Sequence, residues 1–509
     1  MAQRASTLSE NSALSFSAST PLSAAESTLS DSLAVLLSSY TVSERSAHSF
    51  PPTKFFHDWS LDTIAATPLY SLVSSMPKGG ALHLHSGSSG STDWIVNEGI
   101  LLDGVHVYMR DSPLEDTCIT ANTAIPAPCD APGAQALLPG TIAFFPNSTA
   151  VTPGFKPGAE ADPVELRSLL TSNAGLKEAD SELAWGYFND VFTRINPIMS
   201  YRPFYMEYLQ TTFDVHWKDN VQHLEIRALC ASGGVGDLFD YGGDGGAVRS
   251  YSGQGVIDTY QEALDKFLSH PENEGFSLKL ILSSLRVLDP SHIGEDAALA
   301  VELKKANPNF VVGFDVVAEE DPNHRTLDYL DEIQAMQKLA ADAGVDMSLY
   351  FHDGESDDRN NTNMIDAVLL GSKRVGHGFN SYFFPVLFEQ MRQNNVVLEV
   401  NPISNQVLRY IDNLETHPVN AYIAEGIQVV ISSDDPGVFG YTGLTLDMWT
   451  ALVSFQLDLR ELKTLCRNSL EFSGLQGDEK ESAMAKWEKD WAAWVDDMNE
   501  RAGSDWKEL

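Results

Sequence analysis

Residues 79–85, Gly79-Gly80-Ala81-Leu82-His83-Leu84-His85, form an apolar run that turns polar only toward its end. Side chains alternate faces along a β-strand, so His83 and His85 project from the same side and can reach one metal ion. Seven further short runs, rich in apolar and β-branched residues, follow at Gln222–Ala228, Leu278–Ser283, Val311–Val317, Met347–His352, Arg374–His377, Val396–Val400 and Gln428–Ser433. Amphipathic stretches lie between several of them. Leu327–Ala343 is the clearest, with Leu327, Leu330, Ile333, Met336 and Leu339 spaced to share a helix face. Eight strands alternating with helices predict an α/β fold, a (β/α)8 barrel of the TIM type rather than an open doubly wound sheet.

One interval breaks the rhythm. About 135 residues separate the first strand from the second, far more than a crossover needs. The stretch from Gly104 to Pro163 is rich in Pro, Gly, Ala and Thr, and reads as the start of an inserted subdomain spanning about residues 104–175. Residues 1–75 read as a low-complexity segment leading into a helical arm, with Leu33–Leu37 opening a helix, and residues 76–509 as the barrel domain. Trp487, Trp491 and Trp494 recur at helical spacing and predict a final helix packed on the barrel.

With 33 Lys and Arg against 71 Asp and Glu, the net charge is −38, which would repel a phosphate backbone and excludes nucleic acid as a partner. A small molecule is expected instead. No run approaches ~18 consecutive apolar residues, so no membrane span is expected. No basic segment followed by an apolar core opens the chain, which favours the cytoplasm over secretion as its location. The four cysteines show no CxxC spacing; Cys118 and Cys129 read equally as a disulfide or as two free thiols. Sequons at Asn147 and Asn360 are expected by chance.

A barrel enzyme places its reactive groups at the C-terminal ends of its strands. The polar clusters of this chain fall there: His83 and His85 end the first strand, His352-Asp353-Gly354-Glu355 follows the fifth, His377 stands between Gly376 and Gly378 at the sixth, and Asp434-Asp435-Pro436 follows the eighth. Three histidines and an aspartate make a plausible zinc shell with room for water, whereas a closed structural site more often uses cysteines. His216, His223 and His324 are expected to be structural. Lys78 precedes the first strand, on the side away from such a site.

This ordered set, together with Glu399-Val400-Asn401-Pro402-Ile403-Ser404-Asn405, resembles the adenosine deaminase family. It is most similar to the branch of adenosine deaminase-related growth factors, on Met76-Pro77-Lys78-Gly79-Gly80, Leu224-Glu225-Ile226-Arg227, Pro402-Ile403-Ser404-Asn405-Gln406-Val407-Leu408 and Val430-Ile431-Ser432-Ser433-Asp434-Asp435-Pro436, and in its long insertion. The resemblance implies Zn2+ held by His83, His85, His352 and Asp434. It implies that His377 orients or deprotonates a water, that Asp434 accepts a hydrogen bond from it, and that Glu355 protonates the ring nitrogen beside the attacked carbon. Asp435 would hold another ring nitrogen. The branch also tends to be secreted and to form homodimers through its N-terminal helices and insertion.

Departures from the family pattern fall on the substrate side. An acid expected after the second histidine is Ser86, opening the run Ser86-Gly87-Ser88-Ser89-Gly90-Ser91; a second acid is Asn189; a glycine that approaches the purine is Ala318; and HAGE reads HDGE at Asp353. Three functions therefore stay open. One is deamination of adenosine and deoxyadenosine. Another is the same chemistry on AMP, adenine or a modified purine, with the serine run serving as an anion nest. The third is a binding or signalling protein with a residual site.

Overall fold

The computed structural model describes residues 2–109, 118–120, 126–130, 134–146, 151–171, 181–229, 236–242 and 248–504. Its centre is a ring of parallel strands: β1 (Gly79–His85), β2 (Val221–Leu229), β3 (Ser277–Leu285), β4 (Val311–Val317), β5 in two pieces (Ser348–Leu349 and His352–Asp353), β6 (Arg374–His377), β7 (Val397–Val400) and β8 (Val429–Ile431). A parallel bridge between Leu84 and Asp434, with the Asp434 amide donating to the His83 carbonyl at 3.1 Å, brings the end of β8 back to β1. The fold is the expected (β/α)8 barrel, and its strands are buried on both faces because helices cover the outside.

Ahead of the barrel, α1 (Ala2–Leu14) and α2 (Ala24–Ser46) replace most of the segment read as low-complexity. Helix α2 starts about ten residues before Leu33, so Leu33–Leu37 lie in its middle. Its start is a capping box: the Glu26 amide donates to Ser23 Oγ and the Ser23 amide donates to Glu26 Oε2. Leu29 and Leu33 are buried by this packing, each worth about 1.5–3 kcal/mol relative to exposure.

Within the insertion, strands Val105–Tyr108, Ile142–Phe144 and Phe155–Pro157 form one antiparallel sheet and Cys118–Thr120, Pro126–Ala127 and Ala134–Ala136 another. They share a small core around Tyr108, Ile119, Leu137 and Phe155. Cys118 is disulfide-bonded to Cys129. Asn360 is exposed, while Asn147 lies outside the described residues. Helix α3 (Ser181–Met199) leads from the insertion toward β2.

The stretch Leu327–Ala343 is a 3-10 turn (Thr326–Tyr329) running into α4 (Leu330–Ala343). Its buried face differs from the expected one: Tyr329, Ile333, Met336 and Ala340 are buried, while Leu327 and Leu339 are exposed. Residues three apart advance about 300°, so the run drifts about 60° per step around the helix and carries Leu339 off the buried face, while 3-10 winding displaces Leu327. The last helix, α5 (Gly477–Ser504), buries Trp487, Trp491 and Trp494, whose indole nitrogens donate to the Pro77 carbonyl, Glu26 Oε1 and Ser75 Oγ. No described helix is long and apolar enough to cross a membrane.

Candidate active site

The floor of the barrel mouth is a layer of charge. Arg227 on β2 donates to Asp315 on β4 and to Glu399 on β7, both at 2.6 Å. Arg374 on β6 donates to Glu399 at 2.6 Å and pairs with Glu225. All five side chains are fully buried, where unpaired charges would be prohibitive and a satisfied network is rigid. Burial pushes the Glu399 carboxyl up, but Arg227 and Arg374 outweigh it and hold it well below the usual range.

This layer orients the histidines above it. His83 Nδ1 donates to Glu399 at 2.7 Å, and His352 Nδ1 donates to Asp315 at 2.6 Å. Each ring therefore carries its proton on Nδ1 and turns the Nε2 lone pair inward, the arrangement typical of metal-ligating histidine. His352 Nε2 lies 3.2 Å from His85 Nε2, and Asp434 Oδ1 lies 3.0 Å from His85 Nε2 and 3.2 Å from His83 Nε2. Among the described residues, His83 Nε2 and Asp434 Oδ1 have no hydrogen-bond partner despite complete burial. Ligand atoms of His83, His352, His377 and Asp434 lie within 4.8 Å of one another, and His85, Asp434 and Asp435 form an overlapping group. Nitrogen and carboxylate donors in this number suit a divalent ion of the zinc type.

His377 is positioned by a relay. The Val419 amide donates to His417 Nδ1 at 3.1 Å, so His417, which burial holds neutral with its pKa lowered to about 3, carries its proton on Nε2. That proton goes to Asn405 Oδ1 at 3.1 Å, which turns the Asn405 amide group toward His377 Nδ1 at 3.0 Å. The other ring nitrogen, His377 Nε2, meets the Asn401 side-chain amide at 3.4 Å. This nitrogen lies 3.5 Å from Glu355 Oε1 and 3.7 Å from Asp434 Oδ2. Burial holds His377 well below the ordinary imidazole value, outweighing the pull of Asp434.

The carboxylates are driven apart. Burial, Asp434 and Glu320 push Glu355 well above the usual range, whereas the histidines, His83 foremost, hold Asp434 well below it against burial. Burial and Asp434 push Asp435 up to about 7, and Ser88 Oγ donates to it. Paired carboxyls with opposed protonation are a common sign of acid–base chemistry. The Glu355 amide donates to Glu320 Oε1 at 2.6 Å, and Ser404 Oγ donates to Asp434 Oδ2 at 2.8 Å. His377, Asp434 and Ala318 all have positive φ, at 61°, 61° and 92°, so three strand ends turn through backbone normally left to glycine.

The mouth opens into a cavity of about 560 Å3 that takes in every residue proposed for the substrate side: Ser86, Asn189, Ala318 and Asp435. His216 and His223 are buried in hydrogen bonds to Thr212 and to Ser277 and Glu225, and His324 is 3.8 Å from Asp328; none lines the cavity. Lys78 is buried against the Ser74, Met76 and Asp219 carbonyls. Sequence reasoning assigned no role to Arg227, Asp315, Glu399, Glu320, Asn405 or His417. Most of these sit inside or beside the motifs quoted above, but their function exists only in pairings between strands.

The adenosine deaminase family model matches residues 173–489. Adenosine deaminase 2 of Sus scrofa is 32% identical over 461 residues, covering 88% of this chain and 84% of the relative. The chain belongs to the adenosine deaminase family. Among the relatives it matches are several adenosine deaminase 2 proteins, the branch to which the motifs pointed. In fold it is similar to a zinc-bound amidohydrolase from Burkholderia ambifaria (TM-score 0.57, 17% identity, 86% of this chain and 96% of that one). It is also similar to adenine deaminase from Arthrobacter aurescens (TM-score 0.54, 18% identity, 82% and 99%).

Proposed function

We propose that the protein is a zinc-dependent purine nucleoside aminohydrolase, converting adenosine and deoxyadenosine to inosine and deoxyinosine with release of ammonia. The observation that carries this reading is the meeting in one cavity of an inward-turned His/Asp cluster and a buried carboxyl, Glu355, 3.5 Å from His377 Nε2. His83, His85, His352 and Asp434 would hold the ion. The orphaned atoms His83 Nε2 and Asp434 Oδ1 are what such a set requires. A zinc ion bound there supplies a water acidic enough to ionise near neutral pH.

The chain's own groups do the rest. Protonated Glu355 donates to the ring nitrogen beside the amino-bearing carbon and makes that carbon electrophilic. Asp435, whose pKa of about 7 keeps a proton within reach, donates to a second ring nitrogen. His377 turns Nε2 to the attacking oxygen and orients or deprotonates it. As the water oxygen bonds to the carbon, the carbon–amine bond breaks. One water proton leaves on ammonia and the other replaces the proton that Glu355 gave to the ring. Ser86 and Asn189 face the sugar with hydroxyl and amide groups, and Ala318 lies against the purine.

A residual, non-catalytic site is disfavoured because every ligand and both acid groups converge. The test is ammonia release by the zinc-loaded protein from adenosine, deoxyadenosine, AMP, adenine and N6-methylated analogues. Turnover of adenosine and deoxyadenosine is expected. Silence across the panel with zinc bound overturns the assignment.

A further inference from the structure

We infer that the cavity selects purine nucleosides whose 5′ end is uncharged and carries an apolar substituent, in preference to 5′-phosphates; this rests on the aminohydrolase reading above. The reacting carbon must lie at Glu355 and His377, and the sugar leaves the purine from its far edge. The part of the cavity away from those residues therefore faces the sugar. It runs beside α3, whose lining residues extend from Trp185 to Met199, a span of about 21 Å at ~1.5 Å per residue and longer than a nucleoside.

That outer part is mainly apolar, with Asn189, Asn196 and Ser200 as polar members. Phe188, Phe192 and Met199 recur on one face of α3, and Leu229, Leu238 and Leu285 stand across from them at the barrel mouth. Burying an alkyl or thioalkyl group there removes apolar surface from water on both sides. A phosphate in the same place meets no counter-charge. Arg227 is the one Lys or Arg among the described lining residues, and Asp315, Glu399, the Leu82 carbonyl and the Tyr350 carbonyl consume its donors.

Most backbone donors of the serine run are already engaged. The amides of Ser86, Ser88 and Ser89 donate to the carbonyls of Arg227 and His85, and that of Gly90 donates to Tyr208 Oη. Ser88 Oγ is engaged by Asp435, and Ser91 Oγ caps the helix Thr92–Asn97. A dianion entering the outer part of the cavity finds no described Lys or Arg free to offset the loss of its hydration in a low-dielectric setting.

The experiment compares kcat/KM of the full-length zinc-loaded chain for adenosine, 5′-deoxyadenosine, 5′-deoxy-5′-methylthioadenosine and AMP. The methylthio compound is expected to equal or exceed adenosine, and AMP to fall at least about 100-fold below it, the scale on which an unmatched polar group is rejected. Met199→Lys should lower the ratio of methylthio compound to AMP at least about tenfold, and Phe192→Ala gives a second reading of the same wall if the lysine variant fails to fold. Binding of 5′-deoxy-5′-methylthioinosine and of IMP, followed by calorimetry, should show the same order without turnover. If adenosine is deaminated but AMP matches it, or the methylthio compound falls tenfold below it, the inference is overturned and the aminohydrolase reading stands. If none of the four releases ammonia, both fall.

Discussion

The floor of the cavity and its outer wall are built in different ways. Every floor residue comes from the end of a barrel strand: His83 and His85 from β1, His352 from β5, His377 from β6 and Asp434 just beyond β8. His83 is pinned from below by Glu399 and His352 by Asp315. The wall comes largely from one face of α3, a helix supplied by the long excursion between β1 and β2. Phe188 and Phe192 pack edge to face there, and Asn189 and Asn196 project beside them. The floor tolerates few residue types at each position because the chemistry names them. The wall needs only a shape and a polarity, so it is free to change substrate without touching the reaction.

If that contrast is right, changes to the floor are the most severe. His352→Ala should lose both bound metal and measurable ammonia release; one equivalent of zinc, retained by elemental analysis, would break the assignment of His352 as a ligand. Glu355→Gln should keep the metal while lowering kcat by about 10²–10⁴-fold, the range of general acid–base catalysis. A near-normal rate would remove Glu355 from the proton path.

The charged layer under the floor should respond in stability. Burial pushes the Glu225 carboxyl up, but Arg374 and His223 outweigh it and hold it near about 2, below its ordinary 4.5. A carboxyl with a lowered pKa stabilises the fold fully above its unfolded value and loses that contribution as pH falls from about 4.5 toward 2. Glu225→Gln should therefore cost about 3 kcal/mol at neutral pH, since it breaks a buried pair. It should also flatten the fall of the urea midpoint across that acid window; an unchanged slope would show that Glu225 is not the group responsible.

The smallest effect belongs to the wall. Ala318 holds φ at 92° beside the cavity. Ala318→Gly should stabilise the fold by about 1 kcal/mol in urea titration, because glycine enters that region without the Cβ conflict. A loss of stability would mean that the alanine methyl packs well enough to outweigh its backbone strain.

The motifs that name the reaction were legible because each lies within a few consecutive residues. Alternation alone places His83 and His85 on one side, and glycines at 376 and 378 bracket a histidine. The capping box of Ser23 and Glu26 was equally legible and marks the true start of α2, but the Ser/Thr-rich composition around it masked the signal. The face of α4 was misread because a strict three-residue spacing drifts around a helix of 3.6 residues per turn, and a 3-10 turn at its start displaces Leu327 further.

By itself, the sequence determined the barrel and the family and singled out His83, His85, His352, His377, Glu355 and Asp434 as candidates, since these depend on spacing along one strand and on the order of the strands. Only the tertiary structure decided that Glu399, Asp315, Arg227 and Arg374 form one buried lattice under the histidines. It alone decided that His377 is held between Asn405 and Asn401, and that α3 walls a cavity whose described cation is already engaged. The physical reason is that a charge or a ring tautomer is set by the partners it meets across strands, and those partners lie tens to hundreds of residues away in the chain.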